Sequence, residues 1–184
     1  NCETGRVLSI LLGFYPNLVT ENIDFETEQG KEIAEKFNIT TLPAYILNSS
    51  FKEAHNYDKF SSSFNVMNGN FVMKNTVANA NYYINRKEMP KKLDLFLQQG
   101  QIASLKAEEN LKEFLEAFNG KVNFEKYNVD SKIVKELGIN TFPAFLVNNK
   151  NKFSGVQSAD KIKENFCEIN RLDECDLDLT KSLV

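Results

Sequence analysis

One internal repeat constrains this chain more than any other feature. The segments Lys31–Leu47 and Ser131–Val147 align without a gap, and Pro43 falls on Pro143. Self-similarity of this kind marks one supersecondary unit used twice. Each copy opens with a short amphipathic helix: Ile33, Ala34 and Phe37 share one face, as do Ile133, Val134 and Leu137. Asn38 and Gly138 stand where a left-handed C-cap residue belongs. A Thr-X-Pro turn follows in both copies, and then an apolar β-run.

The flanks of the repeat also match. Leu18–Phe25 and Lys121–Val129 read as strands ahead of the two helices. Longer helices are predicted before them, over Thr4–Tyr15 and Lys106–Phe118, each with an apolar stripe. In the second half Lys92–Leu97 adds a strand in front. The order strand, helix, strand, helix, Pro-turn, strand is a βαβ unit followed by a β-hairpin. The fold class is therefore α/β, in two tandem domains. Ser50–Met89 fits the pattern poorly, with a helical insert expected near Phe51–Phe64 and a strand or hairpin near Phe71–Val77. Charge and Pro90 cluster at Arg86–Lys91, which places the boundary between a domain 1–88 and a domain 89–184. A last helix is predicted over Ala159–Ile169.

The element order and the paired Thr-X-Pro motifs resemble the thioredoxin superfamily over most of the chain. The resemblance implies a cis proline in each copy, facing an active-site Cys-X-X-Cys at the start of the long helix. In the second half the first cysteine position falls on Gln101 and the second on Ser104. In the first half Cys2 takes the place of the nucleophile and Gly5 that of its resolving partner, and the strand expected before Cys2 is missing. The chain thus resembles a tandem, protein disulfide isomerase-like protein with degenerate redox centres. In the family the residue before the proline pairs with an extended peptide. Here that residue is Leu42, before Pro43, and Phe142, before Pro143.

Dithiol exchange needs a thiolate and a second thiol to resolve the mixed disulfide. Gly5 and Gln101–Ser104 supply neither. Cys2 has three readings: a monothiol activated by a helix N-terminus, a relic, or a partner for another cysteine. Ser104 reads best as the N-cap of the following helix. His55, the single histidine, falls in the insert and reads as a surface residue.

Cys167 and Cys175 are separated by a stretch short enough for the tail to fold back, and a structural disulfide is the favoured reading. Two inert thiols, or a redox pair outside the usual site, are the alternatives. Acidic Asp173, Glu174, Asp176 and Asp178 disfavour a reactive thiolate at Cys175. A disulfide implies an extracytoplasmic compartment: periplasm, secretion or a membrane-anchored ectodomain.

Net charge is -3 over 184 residues, which gives no broad basic surface for nucleic acid. The scattered cysteines and single histidine do not make a zinc site, and no cofactor is called for. No apolar run reaches the ~20 residues of a bilayer span. Because the first residue is Asn1, a signal peptide, an anchor or a removed stretch is expected upstream. Two functions follow from this reading. One is a redox-degenerate protein that binds extended peptides or a partner protein. The other is a monothiol disulfide oxidoreductase or isomerase using Cys2.

Overall fold

The computed structural model describes residues 3–183. The chain divides into two compact units, the first ending at Asn85 and the second beginning at Arg86. Both are mixed α/β.

The second unit runs β6 (Lys92–Leu97), α4 (Ile102–Ala117), β7 (Asn123–Asn128), α5 (Lys132–Leu137), β8 (Ala144–Val147), β9 (Asn151–Ser154) and α6 (Ala159–Cys167). Its strands lie in the order β9-β8-β6-β7. β6 and β7 are parallel, with Leu95 opposite Lys126. β8 is antiparallel to β6, with Leu95 opposite Phe145, and β9 closes a hairpin with β8. This is the βαβ unit plus hairpin that the sequence pattern predicts. Leu93, Leu95 and Leu97 of β6 pack against Leu111 and Phe114 of α4 and Phe166 of α6. All six residues of β6 are buried. Each large apolar side chain there contributes roughly 1.5–3 kcal/mol relative to exposure.

The first unit is less regular. It contains α1 (Gly5–Phe14), α2 (Glu28–Lys36), β1 (Thr41–Leu42), β2 (Ile46–Leu47), α3 (Tyr57–Phe60), β3 (Phe64–Met67), β4 (Asn70–Met73) and β5 (Tyr82–Tyr83). β4 pairs with both β2 and β3, while β1 pairs with β5. Two apolar clusters form. Leu11, Tyr45, Leu47 and Phe51 belong to one; Ala34, Phe37, Ile39 and Val72 belong to the other.

Three sequence expectations fail in this unit. Leu18–Phe25 is not a strand. A strand exists through its ladder, and no strand among the described residues pairs with this segment, so Val19 is 93% exposed. The insert is not one helix: α3 is flanked by 3-10 turns at Ser49–Glu53 and Ser61–Ser63. Phe64, placed at the end of that helix, is instead the first residue of β3 (Phe64–Met67), the outer strand of a hairpin. Its turn is Asn68-Gly69, both at positive φ (49° and 74°), as a two-residue hairpin requires.

The repeat itself is reproduced closely. Asn38 (φ 48°) and Gly138 (φ 63°) are both left-handed. Asn38 N–H donates to Glu35 C=O and Ile39 N–H to Ala34 C=O; Gly138 and Ile139 donate to Lys135 and Val134 in the same way. Both helices therefore end in a Schellman motif.

Gly30 holds α2 against the segment before it. A Cβ at Gly30 would lie 2.2 Å from the Asp24 carbonyl oxygen. Gly30→Ala is expected to cost about 1–3 kcal/mol by overpacking. Gly13→Ala, where a Cβ meets nothing within 4 Å, is expected to gain roughly 0.5–1 kcal/mol from helix propensity. Urea denaturation of the two variants measures both; equal midpoints would refute the packing argument.

Candidate functional site

In the second unit β6 delivers the chain to the start of α4, where the resemblance places a redox pair. The helix begins at Ile102, with Gln101 as its N-cap residue. Ser104 is therefore not the N-cap. It sits in the first turn, buried, and its hydroxyl oxygen accepts the Gln98 N–H at 3.1 Å. Its role is to tie the end of β6 to the helix. Gln101 donates its amide to the Gln98 side chain at 2.8 Å. Neither position carries a thiol. Two apolar side chains of the first turn face water: Ile102 is 72% exposed and Leu105 62%.

The Phe142–Pro143 peptide bond is cis, as is Leu42–Pro43. The two turns differ in what their backbones do. Leu42 lies in β1 opposite Tyr82, and its carbonyl accepts the Asn81 N–H at 2.8 Å. Thr40 C=O accepts from Ile84 N–H at 3.1 Å. The edge that the sequence leaves for a peptide at Leu42 is thus covered by the chain itself. Phe142 is half-buried, and among the described residues neither its N–H nor its C=O has a hydrogen-bond partner. The Pro143 carbonyl accepts from Gly155.

Gly5 is the first residue of α1, after Thr4. Cys2 lies outside the described residues. His55 is exposed in the turn region of the first unit. Among the described residues no three His, Cys, Asp or Glu side chains are placed to hold a metal ion, and no helix is long and apolar enough to cross a membrane.

Cys167 and Cys175 form a disulfide. It joins the end of α6 to a 3-10 turn at Asp173–Asp176, and the tail beyond returns along the helices. Thr180 N–H donates to the Glu113 carboxylate at 2.9 Å.

The sequence reading missed one group, a carboxylate inside the central strand. Asp94 is fully buried, and its carboxylate lies 2.9 Å from Lys92 Nζ. The same ammonium donates to Glu125 at 2.7 Å, and Glu125 accepts from the Tyr127 hydroxyl. The Asp94 carboxylate has no other donor among the described residues. Burial raises the Asp94 carboxyl above its ordinary value, and the Lys92 ammonium only partly offsets this. The half-exposed Glu125 carboxyl is held low by the hydrogen bond from Lys92. A single Asp within Lys92–Leu97 was the available signal; an acidic residue in an otherwise apolar buried strand marks a paired site.

No protein-family model and no curated protein sequence matches the chain. Among solved structures it is similar to chloroplastic thioredoxin z, at 20% identity and a TM-score of 0.39, over 42% of this chain and 76% of that one. It is similar to Fasciola hepatica thioredoxin at 18% identity and TM-score 0.37, over 42% and 78% of the two chains. Malassezia sympodialis thioredoxin gives 23% identity and TM-score 0.34, over 42% and 72%.

Two predictions follow from the site. Alkylation of the native protein should spare Cys167 and Cys175, and both should label after reduction. Opening the disulfide should cost about 2–3 kcal/mol, the chain-entropy value for so short a loop. Mass spectrometry and denaturation with and without reductant test this; native labelling of both thiols would refute the bond.

Asp94 sets a pH dependence. A carboxyl whose folded pKa is raised binds its proton more tightly in the folded state, so stability falls as pH rises through that value. Asp94→Asn removes this loss. The stability of Asp94→Asn relative to wild type should therefore increase from about pH 4 to pH 7. A difference that stays flat across that range, measured by urea denaturation, would contradict the assignment.

Proposed function

We propose that this chain is a redox-degenerate protein built of two tandem thioredoxin-like domains, and that it binds an extended peptide by strand addition at Phe142. The observation that carries the reading is the unpartnered backbone of Phe142 at a cis-Pro turn. A free N–H and C=O on one residue offer an extended peptide two hydrogen bonds, which is the core of strand addition. The exposed Ile102 and Leu105 offer apolar contact at the helix that follows β6. Leu42 is excluded from this role because Asn81 already occupies its carbonyl. The first unit is then the non-binding member of the pair.

The Gln101 and Ser104 positions support binding without exchange, since neither can form a mixed disulfide. The disulfide at Cys167 and Cys175 supports residence in an oxidising, extracytoplasmic compartment. Peptide capture without turnover suits a holding or presenting role toward extended protein segments.

Carboxymethylated insulin B chain, which has no free thiol, serves as the probe. On titration the Phe142 amide resonance should shift and the Leu42 amide should not. Phe142→Pro removes the N–H and should weaken binding about 3- to 10-fold, the worth of one net hydrogen bond. Phe142→Ala keeps the N–H and should retain more of the affinity. The reading falls if the peptide shifts Leu42 instead, or if Phe142→Pro binds as well as wild type. Reduction of intact insulin by dithiothreitol should run at its uncatalysed rate with the protein present.

A further inference from the structure

The chain contains two Asn-Gly dipeptides, Asn68-Gly69 and Asn119-Gly120. In such a pair the asparagine side chain is open to attack by the next backbone nitrogen, because glycine places no side chain beside that nitrogen. Sequence alone makes the two sites equivalent. All four residues are exposed. Both pairs also start from left-handed backbone, with φ 49° and 74° in the first and 41° and 77° in the second. Access to water and starting φ therefore do not separate them.

Their hydrogen bonds do. Asn68 is held at both ends of the reacting unit. Its side-chain amide donates to the Lys36 carbonyl, at the end of α2, at 2.9 Å. Its carbonyl accepts from the Asn70 side-chain amide at 3.0 Å, which fixes the peptide plane that carries the Gly69 nitrogen. The turn is closed by β3 and β4, which pair over four residues. Asn119 lies in the short connection from α4 to β7. Its N–H donates to Glu116 C=O, and Lys121 N–H donates to Phe118 C=O. Among the described residues nothing bonds to the Asn119 side chain, to its carbonyl or to Gly120 N–H.

We propose that Asn119 is a site of spontaneous covalent modification, conversion to aspartate and isoaspartate, and that the fold protects Asn68 from the same reaction. The Gly120 nitrogen bonds to Asn119 Cγ. The bond from Cγ to the side-chain nitrogen breaks, and that nitrogen leaves as ammonia with the proton Gly120 gives up. One water then opens the cyclic imide at either carbonyl. One opening gives aspartate; the other gives isoaspartate, whose main chain runs through the side-chain methylene. Water is the only co-reactant. Ring closure requires the side chain to swing toward the glycine nitrogen and the peptide plane to turn with it. At Asn68 that motion breaks the bonds to Lys36 and Asn70; at Asn119 the side chain and carbonyl have none to break. The product places a new carboxylate two residues from Lys121, the ammonium that pairs with Glu174 beside Cys175.

Peptide mass spectrometry of the full chain tests this, as a time course in mildly alkaline buffer with aspartate and isoaspartate resolved. In the folded protein Asn119 should convert at least about threefold faster than Asn68, the worth of one net hydrogen bond. In denaturing urea that difference should collapse. Asn70→Ala, which frees the Asn68 carbonyl, should speed conversion at Asn68 and leave Asn119 unchanged. Conversion of Asn68 as fast as Asn119 in the folded chain overturns the proposal. An equal preference for Asn119 in urea also overturns it, because the fold would then have no part in the choice. An unchanged Asn68 rate in Asn70→Ala overturns protection through that bond.

Discussion

β6 is buried along its whole length because strands pair along both of its edges and its side chains are covered on both faces. Every other element of the second unit is placed with respect to it. β7 and β8 take their register from its backbone, α4 and α6 cover its leucines, and its C-terminal end delivers Gln98 to the first turn of α4. Its opposite side chains, Lys92, Asp94 and Phe96, are also shielded from water. A charge in such a place survives only when paired, which explains the Lys92–Asp94 contact. In the first unit the ladders are shorter: two residue pairs hold β2 to β4, and among the described residues no strand pairs with residues 19–23.

The two units treat the same cis-Pro turn differently. In the first, residues Asn81–Ile84 pair back onto Thr40 and Leu42. In the second, neither backbone group of Phe142 has a hydrogen-bond partner among the described residues. A shared motif thus becomes a self-satisfied structural corner in one unit and an open edge in the other. Identical local sequence logic does not dictate equal availability, because availability depends on which distant segment reaches the edge.

Much of the second unit was legible from sequence. Lys92–Leu97 appears with the predicted bounds, and both left-handed caps fall on the residues named. These elements rest on short-range signals: alternation, apolar stripes and capping residues. The misreadings share a different cause. Leu18–Phe25 has strand-like residues but no partner. Ser104 looks like an N-cap, yet the helix starts earlier because Gln101 already has the extended backbone of a cap residue (φ -87°, ψ 132°). Phe64 falls at the end of the predicted helical insert and β3 has no predicted counterpart, although the Asn68-Gly69 turn beside it is a hairpin signal. Asp94 was passed over because one residue does not disturb an apolar pattern.

The sequence by itself determined the repeated helix, cap, turn and strand, the absence of a thiol at Gly5, Gln101 and Ser104, and the short spacing of Cys167 and Cys175. Local preferences fix such features, since they act across a few residues. Tertiary structure alone decided which of the two cis-Pro edges stays open and that Asp94 is buried against Lys92. It also decided that residues 19–23 find no strand partner among the described residues. Each of those depends on segments far apart in the chain meeting or failing to meet. Backbone hydrogen bonds and burial are satisfied by whatever reaches them, and no local pattern records what that will be.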